Sequence, residues 1–314
     1  MNPLRNILRS VTIEPETKLN LLVAPFNGFF EQMLSDAGHN ITLLPNIKYP
    51  CDTSLLGDIT ILNDPNRVSI EESFDAVICN DRVTQYEMCM NIASVYHVPL
   101  IVVEHYNPTN MLHADDVETL RDMQEHSAYV ATNQNILDAW GISGEPINYG
   151  ITDKPLQPEK SELILAIGNF QPLELNHLRQ LGGPHKMFIV NLNTHNKLDR
   201  QTLGELYTKA DIFISLTPHN LCSIPMLEAM SFGCAVISNN LSILNGTLDA
   251  SNAMLCESAM QFQHAINALR SNAKMREMLG NNARQTIHNH FRFDLFVSKW
   301  DNVLRTTINK GYIR

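Results

Sequence analysis

Between Ala210 and Ser238 the residue types follow the order strand, loop, helix, glycine turn, strand. The apolar run Asp211–Ser215 ends in a loop holding Thr217, His219 and Asn220, side chains that donate and accept hydrogen bonds. Ser223 stands where a helix cap stands. Pro225 fits the first helical position, where its missing N–H removes no hydrogen bond. The unpaired amides of that helix start, Ser223 and Ile224 among them, act with the helix dipole as an anion site suited to a diphosphate. Glu228, about one turn in, is placed to accept two hydrogen bonds from a vicinal diol such as a ribose. Gly233 ends the helix so that the next strand starts at once.

Two smaller groups join these. Asn27-Gly28 follows the apolar run Leu21–Pro25, and His105 ends the apolar run Pro99–Glu104. Metal chemistry has no candidate ligands. No Asp-x-Asp or Cys-x-x-Cys occurs, and His288 and His290 lack Cys or carboxylate neighbours, so they read as helix-surface residues. No Gly-x-Gly-x-x-Gly follows either opening strand, which counts against a dinucleotide oxidoreductase. No carboxylate pair at glycosidase spacing is legible either.

The elements that must position these residues alternate between short apolar runs and helical stretches, the signature of parallel α/β units. The alternation occurs twice. The first series predicts strands at Leu21–Pro25, Asn40–Leu44, Phe74–Asn80 and Pro99–Glu104, helices at Phe29–Ala37 and Thr84–Tyr96, and a last unit over Ala128–Tyr149. A polar, proline-bearing stretch at 153–160 reads as a linker. The second series predicts strands at Leu163–Gly168, Met187–Asn191, Asp211–Ser215 and Ala235–Ser238, then a helical tail from Ala259 to Ile308 interrupted at Phe291–Phe296. This gives a first Rossmann-like domain at 1–152, a second at 161–290, and a segment 291–314 returning to the first. Facing domains of this kind place a ligand cleft at the C-terminal ends of both sets of strands.

The Ala210–Ser238 segment resembles the nucleotide-sugar signature of family 4 glycosyltransferases with the GT-B fold. The matching features are Ala210-Asp211, Ser215, Pro225-x-x-Glu228-Ala229-Met230, and Gly233 before Val236. The resemblance implies that Glu228 binds the donor ribose. It places Asn220 where the family usually has a second glutamate touching the donor sugar, which keeps hydrogen bonding and loses charge. It implies that Asn27-Gly28 is the glycine loop at the cleft, that His105 approaches the donor sugar, and that Asn148-Tyr-Gly-Ile-Thr152 closes the first domain. Met275–Trp300 resembles the helices that cross back. His105, His219 and Asn220 are thus the catalytic candidates. Glu228, Ser223, Ile224, Pro225, Thr217, Gly28, Asn27, Gly168 and Asn169 form the donor-binding set. The family's arginine and lysine after the first strand of the second domain have no counterpart. Gly168–Glu174 carries no cation, Arg179 is the next one, and Lys186, Lys197 and Arg200 are candidates to stand in.

The expected activity is retaining, metal-independent transfer of a hexosyl or pentosyl group from a nucleotide-diphosphate sugar to a hydroxyl acceptor, with no further cofactor. The compact size, the Leu221–Pro225 loop and the His97–His105 stretch also resemble short phage glycosyltransferases, some of which modify hydroxymethylated bases in DNA. Two alternatives therefore stand beside the first: a phage-type DNA glycosyltransferase, and an inactive sugar-nucleotide-binding protein. Residues 1–150 hold 7 basic against 20 acidic residues, a net −13; residues 151–314 hold 16 against 13, a net +3. The first half repels a polyanion, and DNA would have to lie on the tail, along Arg270, Lys274, Arg276, Arg284, Arg292, Lys299, Arg305, Lys310 and Arg314. With 44% hydrophobic and 18% charged residues, and no apolar run long enough for a bilayer, the chain reads as soluble. Its scattered cysteines, with no leader at the N-terminus, suggest a reducing cytoplasm, the host's if phage-encoded.

Overall fold

The computed structural model describes residues 18–44, 59–62, 73–106, 114–154, 160–182, 186–192, 198–216, 223–239 and 246–311. In the first unit the order is β1 (Asn20–Val23), α1 (Phe29–Asp36), β2 (Asn40–Leu43), β3 (Thr60–Ile61), β4 (Ala76–Cys79), α2 (Arg82–Tyr96) and β5 (Leu100–Glu104). Then come α3 (Ala114–His126), β6 (Ala128–Ala131), α4 (Gln134–Trp140) and β7 (Glu145–Pro146). These strands form one sheet in the order β3-β2-β1-β4-β5-β6-β7, with every pairing parallel. Strands β4 and β5 are buried along their whole length, as their continuous apolar runs require of a sheet covered on both faces.

The second unit runs β8 (Leu163–Gly168), α5 (Pro172–Gly182), β9 (Met187–Asn191), α6 (Arg200–Lys209), β10 (Ala210–Ser215), α7 (Ile224–Ser231), β11 (Ala235–Asn239) and β12 (Ala253–Cys256). It closes with α8 (Ala259–Ser271), α9 (Ala273–His290) and α10 (Phe293–Lys310). Its sheet, again wholly parallel, has the order β12-β11-β10-β8-β9. In both sheets the strand order reverses beside the first strand, between β1 and β4 and between β8 and β10. Ligands settle at such reversals, outside the C-terminal ends of the strands.

The tail differs from the sequence reading in one respect. The interruption expected over Phe291–Phe296 is confined to Phe291 and Arg292, and α10 resumes at Phe293. Arg292 is extended because it bridges to Ile151 in parallel, and the Ile151 amide donates to the Phe291 carbonyl at 2.7 Å. The rest of the apolar cluster belongs to the helix and packs on the first unit. Trp300 and Phe296 lie against Phe30, with ring centroids 5.8 and 6.5 Å away, and Lys299 Nζ donates to the Pro146 carbonyl. Gly150 leaves room for this crossing, since a Cβ there would lie 2.6 Å from Cβ of Phe296.

Candidate functional site

The second unit's reversal point lies between the C-terminal ends of β8, at Gly168, and β10, at Ser215. Asn191 holds the turn after Gly168 by hydrogen bonds to the Phe170 amide and carbonyl, both 3.1 Å, and leaves Asn169 exposed. Thr217, His219 and Asn220, which fall in the loop after β10, lie outside the described residues. The chain reappears at Ser223, the extended cap of α7, whose hydroxyl makes no capping hydrogen bond. Ile224 is the first helical residue and Pro225 the second, one place later than expected. The substitution still removes no helical bond there, because the first four amides of a helix have no partner within it. Helix α7 thus starts at the cleft edge of the sheet with no side-chain cap from Ser223 on its amides.

Glu228 lies one turn further on and faces a cavity between the two units. Asp36 of α1 lines it from one side; Lys154 of the linker, Arg200 and Tyr207 of α6, and Glu228 line the rest. Burial pushes the Glu228 carboxyl above its usual range, and Tyr207, Arg200 and Lys154 offset part of that rise. Tyr207 is 2% exposed, and the Glu228 carboxylate is the neighbour with which its hydroxyl interacts. Its pKa is raised well above the ordinary value, first by burial and then by the Glu228 charge. Arg200 crosses the cavity to Asp36, with Nη1 to Oδ2 at 3.1 Å.

The first unit's helix start is built oppositely. Gly28 caps α1 with φ 83°, a conformation that favours glycine. The amides of Phe26, Asn27 and Gly28 all turn inward to the fully buried Glu31 carboxylate, at 2.7 Å for Gly28. Asn27 Oδ1 accepts from the Phe30 amide at 3.0 Å. Asn27 and Gly28 form the turn between β1 and α1, and the N–H groups of this loop are spent on an internal anion. Glu31 was absent from the sequence reading, although its position three residues after the cap is the spacing of a capping box.

His105 lies beneath that loop, 1% exposed. Its ring stacks on Phe26, with centroids 3.8 Å apart and planes 9° off parallel. Nε2 meets Asn80 Oδ1 at 3.1 Å and Nδ1 meets the Tyr149 hydroxyl at 2.9 Å. Asn80 spends its amide on the Ala24 carbonyl, so its oxygen accepts, the imidazole proton sits on Nε2, and Tyr149 donates to Nδ1. Burial lowers the ring's pKa to about 3. Both ring nitrogens are engaged and the ring is neutral, so the imidazole braces the loop above it through Phe26. Beside it, Glu104 pairs with Arg82, Oε1 to Nε at 2.7 Å, and the guanidinium stacks on Trp140 at 4.3 Å. Burial outweighs the arginine and raises the Glu104 pKa to about 7.

Two parallel α/β sheets facing across a cleft, with a C-terminal helix crossing back onto the first unit, make the GT-B architecture. Solved structures bear this out. Over 92% of this chain and all of that one, it is similar to Anabaena Alr3699/HepE in complex with UDP-glucose, with TM-score 0.67 and 11% identity. A glycosyltransferase from Rickettsia africae ESF-5 gives TM-score 0.64 and 13% identity over 93% of this chain and 99% of its own. Sucrose-phosphate synthase (tll1590) from Thermosynechococcus elongatus gives 0.63 and 11% over 93% and 100%. Residues 186–286 match the family model described as Glycosyl transferases group 1. No protein of curated function matches the sequence.

Proposed function

We propose that the protein is a retaining, metal-independent glycosyltransferase that moves a sugar from a nucleotide-diphosphate sugar to a hydroxyl acceptor. The carrying observation is the contrast between two helix starts at one cleft. Helix α1 has its amides filled by Glu31 and Asn27, while α7 begins without a bond from its capping serine and presents Glu228 one turn in. A diphosphate sits on the second and the ribose diol on Glu228. As the donor bond breaks, those fixed amides stabilise the charge developing on the leaving diphosphate, and the closing cleft orients the acceptor hydroxyl and excludes water. The absence of Asp-x-Asp in the sequence supports the metal-free reading, and buried thiols at Cys79, Cys89, Cys234 and Cys256 fit a reducing cytoplasm. The Anabaena protein's complex with UDP-glucose supports a nucleotide-sugar donor.

The test is a panel of nucleotide sugars read by thermal shift, where a ligand at a hundred times its Kd stabilises by about 2.7 kcal/mol. Donor hydrolysis with EDTA present follows for any sugar that shifts the melt. Glu228→Ala is expected to abolish the shift while keeping the fold. Donor binding without any released nucleotide would mean an inactive sugar-nucleotide binder, and activity restored only by Mg²⁺ or Mn²⁺ would end the metal-free reading.

A further inference from the structure

We propose that Arg200, assisted by Lys154, supplies the positive charge for the donor diphosphate, and that Asp36 of the opposite unit holds Arg200 across the cleft until an anion displaces it. The proposal rests on the nucleotide-sugar reading above.

A diphosphate brings more negative charge than one helix start, with about half a unit of positive charge, can balance. Gly168–Glu174 holds no cation. Of the remaining candidates, Lys186 precedes β9, at the end of the sheet away from the cleft, and Arg179 lies in the last turn of α5, which runs toward that same end. Lys197 is outside the described residues. Arg200 differs from both. It is the first residue of α6, which follows β9, so it stands at the edge of the sheet from which α7 also starts.

Its side chain is on the cavity that Glu228 and Lys154 share. Its partner there is poorly committed: the Arg200 and Asp36 side chains are 51% and 41% exposed, and an ion pair so solvated contributes little to stability. Exchanging one oxygen anion for another is therefore cheap. Tyr207 lines the same cavity, and its buried hydroxyl interacts with the Glu228 carboxylate. Two cations and a carboxylate on one cavity suit one ligand carrying both phosphate and hydroxyl groups.

The experiment is calorimetric titration of UDP, uridine, GDP, guanosine and inorganic diphosphate into wild type, R200Q, R200K, D36N and E228A. Loss of one charge-assisted contact is expected to weaken both nucleoside diphosphates and inorganic diphosphate roughly ten- to hundredfold in R200Q. The nucleosides should stay within about twofold, and R200K should recover part of the loss. D36N, which frees Arg200, should bind diphosphates as well as wild type or better. E228A should lose nucleosides and nucleoside diphosphates while keeping inorganic diphosphate. Unchanged diphosphate affinity in R200Q, or an equal loss for nucleosides, would overturn the role of Arg200 and leave the glycosyltransferase reading standing. D36N that binds diphosphates worse and melts lower would make the pair structural and sink the exchange. Wild-type protein that binds neither nucleoside diphosphate would overturn both proposals.

Discussion

At the scale of single residues, the two buried groups at the end of β5 pull stability in opposite directions with pH. His105 stays neutral when folded down to about pH 3, while an unfolded imidazole takes a proton near 6.5. The unfolded chain thus binds more protons in that window, and the contribution of His105 is full above about 6.5 and lost as pH falls toward 3. Glu104 is the reverse. Folded, it keeps its proton up to about 7 against an ordinary 4.5, so its contribution is lost as pH rises through that range. Urea melts at pH 4, 5, 6 and 7 should show a shallower acid-side loss in His105→Phe and a shallower neutral-side loss in Glu104→Gln; unchanged slopes would refute both placements. His105→Ala strands Asn80 and Tyr149 and removes the support of Phe26, and is expected to cost roughly 2–4 kcal/mol. If the ring touches the sugar directly, kcat falls with no such loss in Tm. Residue roles of this sort were half legible. Glu228 stood out because its spacing from Pro225 is local, but Arg200 and Asp36 lie 164 positions apart and nothing in the sequence pairs them. Glu104 read only as the last residue of a strand, and it is the fold that puts Arg82 beside it and Trp140 over Arg82.

Elements were more legible than contacts. Strands β8 and β9 begin and end where their apolar runs do; β8 is buried along nearly its whole length, and a strand so placed admits few polar residues within it. The short strand β3 and the edge strand β12 escaped notice: two exposed residues carry no pattern, and Ala253–Cys256 is only partly buried. The break before α10 was visible as an apolar cluster. Its true cause, the bridge from Arg292 to Ile151, is a long-range pairing. Trp300 tests how α10 is held. It is 1% exposed and its indole N–H has no partner among the described residues, so Trp300→Phe should cost under about 1.5 kcal/mol, whereas Trp300→Ala should cost roughly 3–5. Similar losses for both, measured by denaturant melts, would show that the nitrogen matters more than the ring. Gly150→Ala drives a methyl into Phe296 and is expected to raise the KM for donor at unchanged kcat by shifting one unit against the other.

For the molecule as a whole, the acceptor question turns on charge. The basic tail that would have to carry DNA is largely neutralised from within: Arg270 pairs with Glu162, Arg276 with Asp211, Arg284 with Asp153, Arg292 with Asp294 and Arg305 with Asp301. With those charges occupied and a strongly acidic first half, duplex DNA is expected to show no retardation at about 50 or 200 mM salt; a shift that collapses between the two would revive the DNA acceptor, because phosphate contacts weaken steeply with salt. The crossing of α10 onto the first unit bears on the birth of the protein as well as its activity. Phe30 and Tyr149 are synthesised early, yet Phe296 and Trp300 that cover them leave the ribosome only after the entire second unit. At about 5–20 residues per second, the first unit waits on the order of ten seconds with that greasy face uncovered. Nascent chains arrested near residue 290 should therefore be captured by chaperones and cut by protease in the first unit, and extension past Lys310 should close both windows together.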